Sequence, residues 1–203
     1  WESLFDRIRI NPEKDKGKTV LILAGAGGVG SIAIQLAKKV AGLTVIATAS
    51  RPETQDWCKK MGADIVVNHY QLKEELEKAG HGQVDYILDF VDLEGYWETA
   101  ADIIKPQGHI VSITASSQPL NLNILKSKSV SFSWEFMYTR SMFSTADMDQ
   151  QNYILNKMAE LLDDGTLLST LTTTLSGFTV DNLKKAHKMQ ESGKTIEKTV
   201  ILY

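Results

Sequence analysis

The chain has 203 residues, enough for one large domain or one domain with an appendage, and its 43% apolar content supplies an ordinary globular core. A net charge of −3 gives no basic excess for nucleic acid or an anionic membrane surface, and no apolar run approaches the ~20 residues of a membrane-spanning helix. Cys58 is the only cysteine, so no internal disulfide can form; that suits a reducing compartment, and a cytoplasmic location is expected.

The first residues, Trp-Glu-Ser-Leu-Phe-Asp-Arg, are amphipathic and charged, which is not the pattern of a signal peptide. Trp1, Leu4, Phe5 and Ile8 recur at helical spacing and predict a helix over 1–9. With no initiator Met, the chain is expected to be the later part of a longer protein. Asn11-Pro12 and the charged run to Lys18 form a loop into a first strand, Thr19 to Leu23. Apolar residues at 29, 32, 33, 36, 37 and 40 then mark one face of a helix. A second buried strand runs from Leu43 to Thr48. A helix beginning at Arg51-Pro52 carries Trp57, Cys58 and Met61 and stops at Gly62.

Ile65 to Val67 is a short third strand, 71–79 a charged helix, and Val84 to Leu88 a fourth strand. Glu94 to Ile104 is a helix, and Pro106-Gln-Gly108 is the turn into strand five, His109 to Ile113. Strands and helices alternate throughout, the signature of a parallel sheet with helices on both faces. Residues 115–128 are polar without a period, and Val130, Phe132 and Trp134 alternate with serines as a sixth strand. A helix over 147–163 should turn Met148, Tyr153, Leu155, Met158 and Leu162 inward. A threonine-rich strand near 170–175, a helix from Val180 to Gln190 and a strand from Thr199 to Leu202 complete the chain. The expected fold is α/β, a Rossmann-type doubly wound parallel sheet over 1–165, with 166–203 as a C-terminal appendage.

The chemistry begins between the first strand and the first helix. Gly25, Gly27 and Gly30 fit G-x-G-x-x-G, and the flanking strand and helix supply the context that the motif requires. The first glycine permits the tight turn. The second lets a pyrophosphate approach the backbone, and the third lets the helix pack close to the strand. The helix N-terminus offers free N–H groups and a partial positive charge to the phosphates. About 20 residues further on, where a carboxylate would hold the ribose 2′-OH of NAD, stand Ser50 and Arg51. A hydroxyl and a guanidinium suit the 2′-phosphate of NADP. Ser50 is equally suited to cap the helix that follows.

Ala24-Gly-Ala-Gly-Gly-Val-Gly30, Thr48-Ala-Ser-Arg51, Gly62-Ala-Asp64, Val67-Asn-His69, Val84-Asp85, Asp89-Phe-Val91, Gly108-His-Ile-Val-Ser112, Ala186-His187 and Gly193-Lys194 follow one another in order. Together they resemble the medium-chain dehydrogenase/reductase superfamily, and within it the quinone-oxidoreductase-like branch that includes the zinc-type alcohol dehydrogenase-like proteins. The resemblance spans nearly the whole chain. It implies a GroES-like catalytic domain, a partly open β-barrel, upstream of residue 1, toward which 166–203 would return.

Position by position, the resemblance implies that Gly27, Gly28 and Val29 hold the pyrophosphate and that Ser50 and Arg51 meet the 2′-phosphate. His69 would lie near the adenosine end and Val91 beneath the ribose and nicotinamide. Ile113, Thr114 and the segment around Phe136 would approach the nicotinamide. Two positions depart from the pattern: Thr54 stands where some members carry Lys, and Glu197 replaces the Gly common before the Lys of the last strand.

The remaining chemistry-bearing residues read as structural. His69, His81, His109 and His187 with one cysteine give no metal-ligand spacing. His109, His187 and Cys58 are expected to be structural, as are Trp57, Trp97 and Trp134 in packing. Asp85 and Asp89, four apart around a strand, should satisfy loop backbone rather than act as a catalytic pair.

The expected function is the NADPH-binding part of an oxidoreductase that passes hydride to a quinone, enone or carbonyl compound. The catalytic groups would lie on the upstream domain, and this chain alone would be inactive. The alternatives are a non-catalytic dinucleotide sensor and a zinc-dependent alcohol dehydrogenase. Ser129–Trp134 is a candidate edge strand for a homodimer.

Overall fold

Every residue of β1 (Thr19–Ile22) is buried, which a strand achieves only when both faces of its sheet are covered. The structure, a computed structural model, describes residues 1–193, 195–196 and 198–203. The readings made of Lys194 and Glu197 fall outside the described residues. β1 is flanked by β2 (Thr44–Thr48) and β4 (Val84–Asp89) in a six-stranded parallel sheet. With β3 (Ile65–Val67), β5 (Ile104–Ser112) and β6 (Ser131–Trp134), the order is β3-β2-β1-β4-β5-β6. This is a Rossmann-type doubly wound sheet, reversing direction between β1 and β4.

Alternate residues of each strand enter opposite layers. Val20, Ile22, Val45, Ala47, Tyr86 and Leu88 join one core with Ile34, Leu36, Cys58 and Met61. These last four come from α1 (Gly28–Gln35), its wider continuation over Leu36–Val40, and α2 (Pro52–Met61). Leu21, Leu23, Ile46 and Ile87 join the other core with Leu72, Leu76, Leu93 and Trp97. Those come from α3 (Leu72–Lys78) and α4 (Leu93–Ile103). Gly62, at φ 110°, ends α2.

Several local expectations are corrected. The helix expected over 1–9 is a wide helical turn, Ser3–Ile8, stopped by Arg9 in the left-handed region at φ 63°. Pro106-Gln-Gly108 is not a turn before strand five but a bulge inside it. Ile104 already pairs with Val84, and pairing resumes at His109 with Tyr86. The segment read as unpatterned contains α5 (Asn123–Lys126). A further short helix, α6 (Thr139–Phe143), was also unforeseen.

α7 (Gln150–Asp163) forms, but its inward stripe is Ile154, Met158 and Leu161, spaced i, i+4, i+7. Tyr153, Leu155 and Leu162 lie about one residue out of phase and are exposed, as is Met148. Trp97 is buried and Trp57 packs on the core, whereas Trp134, at the outer end of edge strand β6, is exposed.

Beyond α7, β7 (Leu171–Ser176) and β8 (Lys198–Leu202) pair in parallel around α8 (Val180–Glu191). Gln35, fully buried at the end of α1, fixes where this segment leaves the core. Its amide donates to the Leu168 carbonyl at 3.1 Å, and its carbonyl accepts from the Leu168 N–H at 2.7 Å.

Candidate functional site

The loop between β1 and α1 lies at the carboxyl ends of the strands, where the sheet reverses direction. Its shape is fixed from below. Thr48 at the end of β2 accepts from the Ala24 N–H through its hydroxyl and from the Gly25 N–H through its carbonyl. The Ser31 hydroxyl reaches the carbonyls of Gly25 and Gly27 and accepts from the Trp57 indole at 2.8 Å.

The glycines are demanded by clearance. A Cβ on Gly30 would stand 2.3 Å from the Ala24 carbonyl oxygen, and one on Gly25 2.8 Å from the Ala47 Cβ. None of Gly25, Gly27, Gly28 or Gly30 has positive φ; the left-handed residue of the turn is Ala24, at φ 59°. The expectation that the first glycine permits the tight turn is therefore corrected: Gly25 serves close packing. Gly27 caps α1, and a Cβ there would meet only the Ala24 oxygen at 3.4 Å, so its outer side is open.

Above this turn lies a cleft of about 390 Å³, within the range of small-molecule sites. Ala24, Ala26 and Gly27 form its floor, and Thr48, Ala49, Ser50, Arg51 and Thr54 its wall at the end of β2. His69, Val91 and Tyr96 close the opposite side, and Gly193 and Thr195 enter from the C-terminal segment. Of the expected site residues, Gly27, Ser50, Arg51, His69 and Val91 are thus brought together. Gly25 and Gly30 lie in the turn beneath, while Gly28 and Val29 begin α1 outside the cleft lining.

Ile113 and Thr114 follow β5, and Phe136 is exposed beyond β6; none of the three lines this cleft. The Thr114 hydroxyl donates to Asp89 at 2.7 Å and accepts from the Leu93 N–H. Asp89, almost fully buried, also accepts from Ser112 and from the amides of Val91 and Asp92, so it organises the β4–α4 loop as expected of a loop-satisfying carboxylate.

The helix cap at the end of β2 is Arg51, not Ser50. The Arg51 amide donates to the Thr54 hydroxyl, which donates back to the Arg51 carbonyl. Ser50 is therefore not needed as the cap. The Arg51 Nε stands 3.3 Å from Glu53 Oε1, at the partly exposed rim. Tyr96 was missed by motif reading, and its signal was positional: it lies on the helix after β4, at the ligand-facing edge of the sheet. Burial, then the nearby carboxylates of Asp92 and Asp89, raise the Tyr96 phenol and keep it protonated. Burial lowers His109, whose Nε2 lies 2.8 Å from the Ser133 hydroxyl, a packing role on the strands.

Among the described residues no three His, Cys, Asp or Glu side chains gather as a metal-ligand set. Cys58 is fully buried beneath the turn, and the four histidines stand on separate elements. Among the same residues no helix is long and apolar enough to cross a membrane.

The sheet order and the glycine turn at its reversal define a Rossmann-type α/β domain. Residues 28–150 match the zinc-binding dehydrogenase family, and the chain belongs to that family, within the medium-chain dehydrogenase/reductase superfamily. It is 44% identical over 204 residues to a zinc-type alcohol dehydrogenase-like protein of Staphylococcus aureus (strain MSSA476), covering 99% of this chain and 61% of that protein. The chain thus spans about three-fifths of the length of such relatives. An NADPH-dependent alkenal/one oxidoreductase of Arabidopsis thaliana chloroplasts is 34% identical over 110 residues, 54% of this chain and 27% of that protein. A solved structure from Rhizobium etli CFN 42, assigned as a zinc-dependent alcohol dehydrogenase, superposes with a TM-score of 0.91 at 42% identity, covering 100% of this chain and 60% of that one.

Proposed function

We propose that this chain is the NADPH-binding part of an oxidoreductase that passes hydride to a quinone, enone or carbonyl compound. One observation carries the cofactor choice: the wall of the cleft at the end of β2 presents Ser50, Arg51 and Thr54 and no carboxylate where an NAD ribose would be held. Glu53, two residues on in the first turn of α2, is paired with Arg51. The Arabidopsis relative, NADPH-dependent by name, supports the same choice.

When bound, NADPH supplies the hydride, and the protein supplies position. The amides at the start of α1 face the diphosphate across the open side of Gly27. Arg51 donates to the 2′-phosphate with Ser50 beside it. His69 packs toward the adenosine, while Val91 and Tyr96 bound the same side of the cleft. No acid or base in this chain is assigned to proton delivery. In this reading 1–165 form the binding domain, and the segment 166–203 helps to roof the cleft.

The test is parallel titration with NADPH and NADH, followed by nicotinamide fluorescence, on the chain and on Arg51→Ala. NADPH should bind more tightly, and the variant should lose about tenfold or more for NADPH while changing little for NADH, as expected for loss of a charge-assisted phosphate contact. Tighter NADH binding, or an unaltered preference in the variant, would refute the assignment. Sustained reductase turnover by this chain alone would refute the placing of the catalytic groups elsewhere.

A further inference from the structure

A second cavity adjoins the cleft. It is a groove of about 780 Å³ between α3 and α4, with Tyr70, Lys73, Glu98 and Asp102 in its lining. Among the described residues, His69 and Tyr96 are the two that line both the groove and the cleft of about 390 Å³. They form the partition between the two spaces.

Both stand on pinned backbone. After β3, the Asn68 side chain accepts from the Tyr70 N–H, and the His69 and Tyr70 rings lie 4.2 Å apart. Tyr96 lies in the first turn of α4, between buried Leu93 and buried Trp97. Asp92 fixes that turn by accepting from the Gly95 N–H at 2.9 Å, and Asp89 holds the loop before it through the amides of Val91 and Asp92. Tyr96 itself is only partly buried. A large ring thus stands at the boundary of two open spaces, on a helix that its neighbours Leu93 and Trp97 anchor in the core.

Ligand chemistry says what meets this partition. In NADPH the 2′-phosphate and the base are carried on adjacent carbons of one ribose. With the phosphate at Ser50 and Arg51 on one wall, the base extends toward the opposite wall, where His69 and Tyr96 stand.

We infer that Tyr96 is a specificity-determining residue for the base: its ring closes the cleft against the groove, packs on adenine and excludes bases enlarged at the purine edge. An aromatic face contributes to binding a base by stacking, and a wall discriminates by the bulk that it rejects. Without the ring, cleft and groove merge into one space that accepts the larger base. This rests on the dinucleotide reading of the cleft.

The experiment measures Kd by calorimetry for NADP⁺ and for 1,N6-etheno-NADP⁺, whose extra ring enlarges the base, with wild type, Tyr96→Ala, Tyr96→Leu and Tyr96→Phe. Wild type should bind NADP⁺ about tenfold or more tightly than the analogue. Tyr96→Ala should weaken NADP⁺ by about tenfold and leave the analogue within about threefold, so that the preference disappears. Tyr96→Leu, which keeps an apolar side chain on α4 without a ring, should also bind NADP⁺ about tenfold more weakly, and Tyr96→Phe should match wild type. If wild type binds both ligands equally, or if Tyr96→Ala and Tyr96→Leu weaken both by one factor or neither, the assignment of Tyr96 is overturned while the cleft reading stands. If wild type binds neither ligand, the cleft reading itself fails.

Discussion

Replacing glycines one at a time by alanine separates the two uses of the turn. At Gly30 a methyl group would lie 2.3 Å from the Ala24 oxygen and 2.8 Å from both the Gly25 Cα and its oxygen. All three are backbone atoms, so relief requires α1 to move off β1 by on the order of 1 Å, through a close-packed layer. Overpacking of this kind costs ~1–3 kcal/mol. At ~2–4 °C per kcal/mol for a chain of this size, Gly30→Ala should melt about 2–12 °C below wild type. Gly25→Ala, facing the Ala47 Cβ at 2.8 Å and the Cys58 sulfur at 3.0 Å, should fall between. Gly27→Ala meets only one oxygen, at 3.4 Å, and its φ of −77° is ordinary for alanine, so its melting temperature should stay near wild type. The proposed diphosphate, however, passes over Gly27, so NADPH affinity in Gly27→Ala should drop more than about tenfold. The assays are thermal denaturation by circular dichroism and nicotinamide-fluorescence titration on the same samples. If Gly27→Ala melts lower than Gly30→Ala, or binds NADPH as well as wild type, the clearance argument is wrong.

At the opposite end of the strands, burial would raise the Asp85 carboxyl, but the Thr19 amide, the Lys105 ammonium and the Thr19 hydroxyl outweigh it and hold Asp85 below the usual carboxylate range. A depressed native pKa stabilises the fold above the unfolded value and is lost as pH falls through the native one. The urea midpoint should therefore drop on acidification below the ordinary carboxylate range, with a shallower drop in Asp85→Asn; equal slopes would exclude Asp85. Ser31→Ala removes the hydroxyl that joins the Trp57 indole to two turn carbonyls. It should cost about 1–3 kcal/mol in denaturant titration and shift Trp57 emission, and an unchanged midpoint would mean that water replaces the hydroxyl. Cys58, fully buried, should react with an aromatic disulfide reagent only at the rate of local opening, slowing as bound NADPH closes the turn; a fast, NADPH-independent reaction would contradict its burial.

The sheet was legible because strands covered on both faces read as continuous apolar runs, such as Val20-Leu21-Ile22-Leu23, bounded by glycines. The same logic failed at β5: Pro106 and Gly108 look like a turn, but pairing with β4 continues across them through Ile104. Local turn chemistry cannot reveal that a partner strand extends far enough to bridge a bulge. Helix phase was also hard to read. In α7 the apolar residues are numerous enough to draw two stripes, and only the packing of Met158 and Leu161 chooses between them. At the cleft, Gly27, Ser50 and Arg51 were readable from the glycine motif and its spacing to the second strand's end, and His69 and Val91 from the family resemblance. Tyr96 and Thr195 were not, since only the folded path of α4 and of the C-terminal segment sets them at the cleft.

The position of the strain in the turn links fold and site. A left-handed alanine costs roughly 1–2 kcal/mol, and Ala24 bears it while four nearby glycines do not. Ala24 is held there from three sides. Its N–H is bound by the Thr48 hydroxyl, its carbonyl accepts from Gly27, and the Gly25 N–H is taken by the Thr48 carbonyl. The consequence is a sharp exit from β1 into the turn that leads to α1, with Ala24, Ala26 and Gly27 of that turn lining the cleft. Thr48 is also part of the cleft wall, next to Ser50 and Arg51 on the same strand end. One residue therefore both anchors the glycine turn before α1 and lines the cleft wall beside Arg51. The spacing of those two features, which in the proposed reading spans the cofactor's adenosine half, is set by β1–β2 pairing.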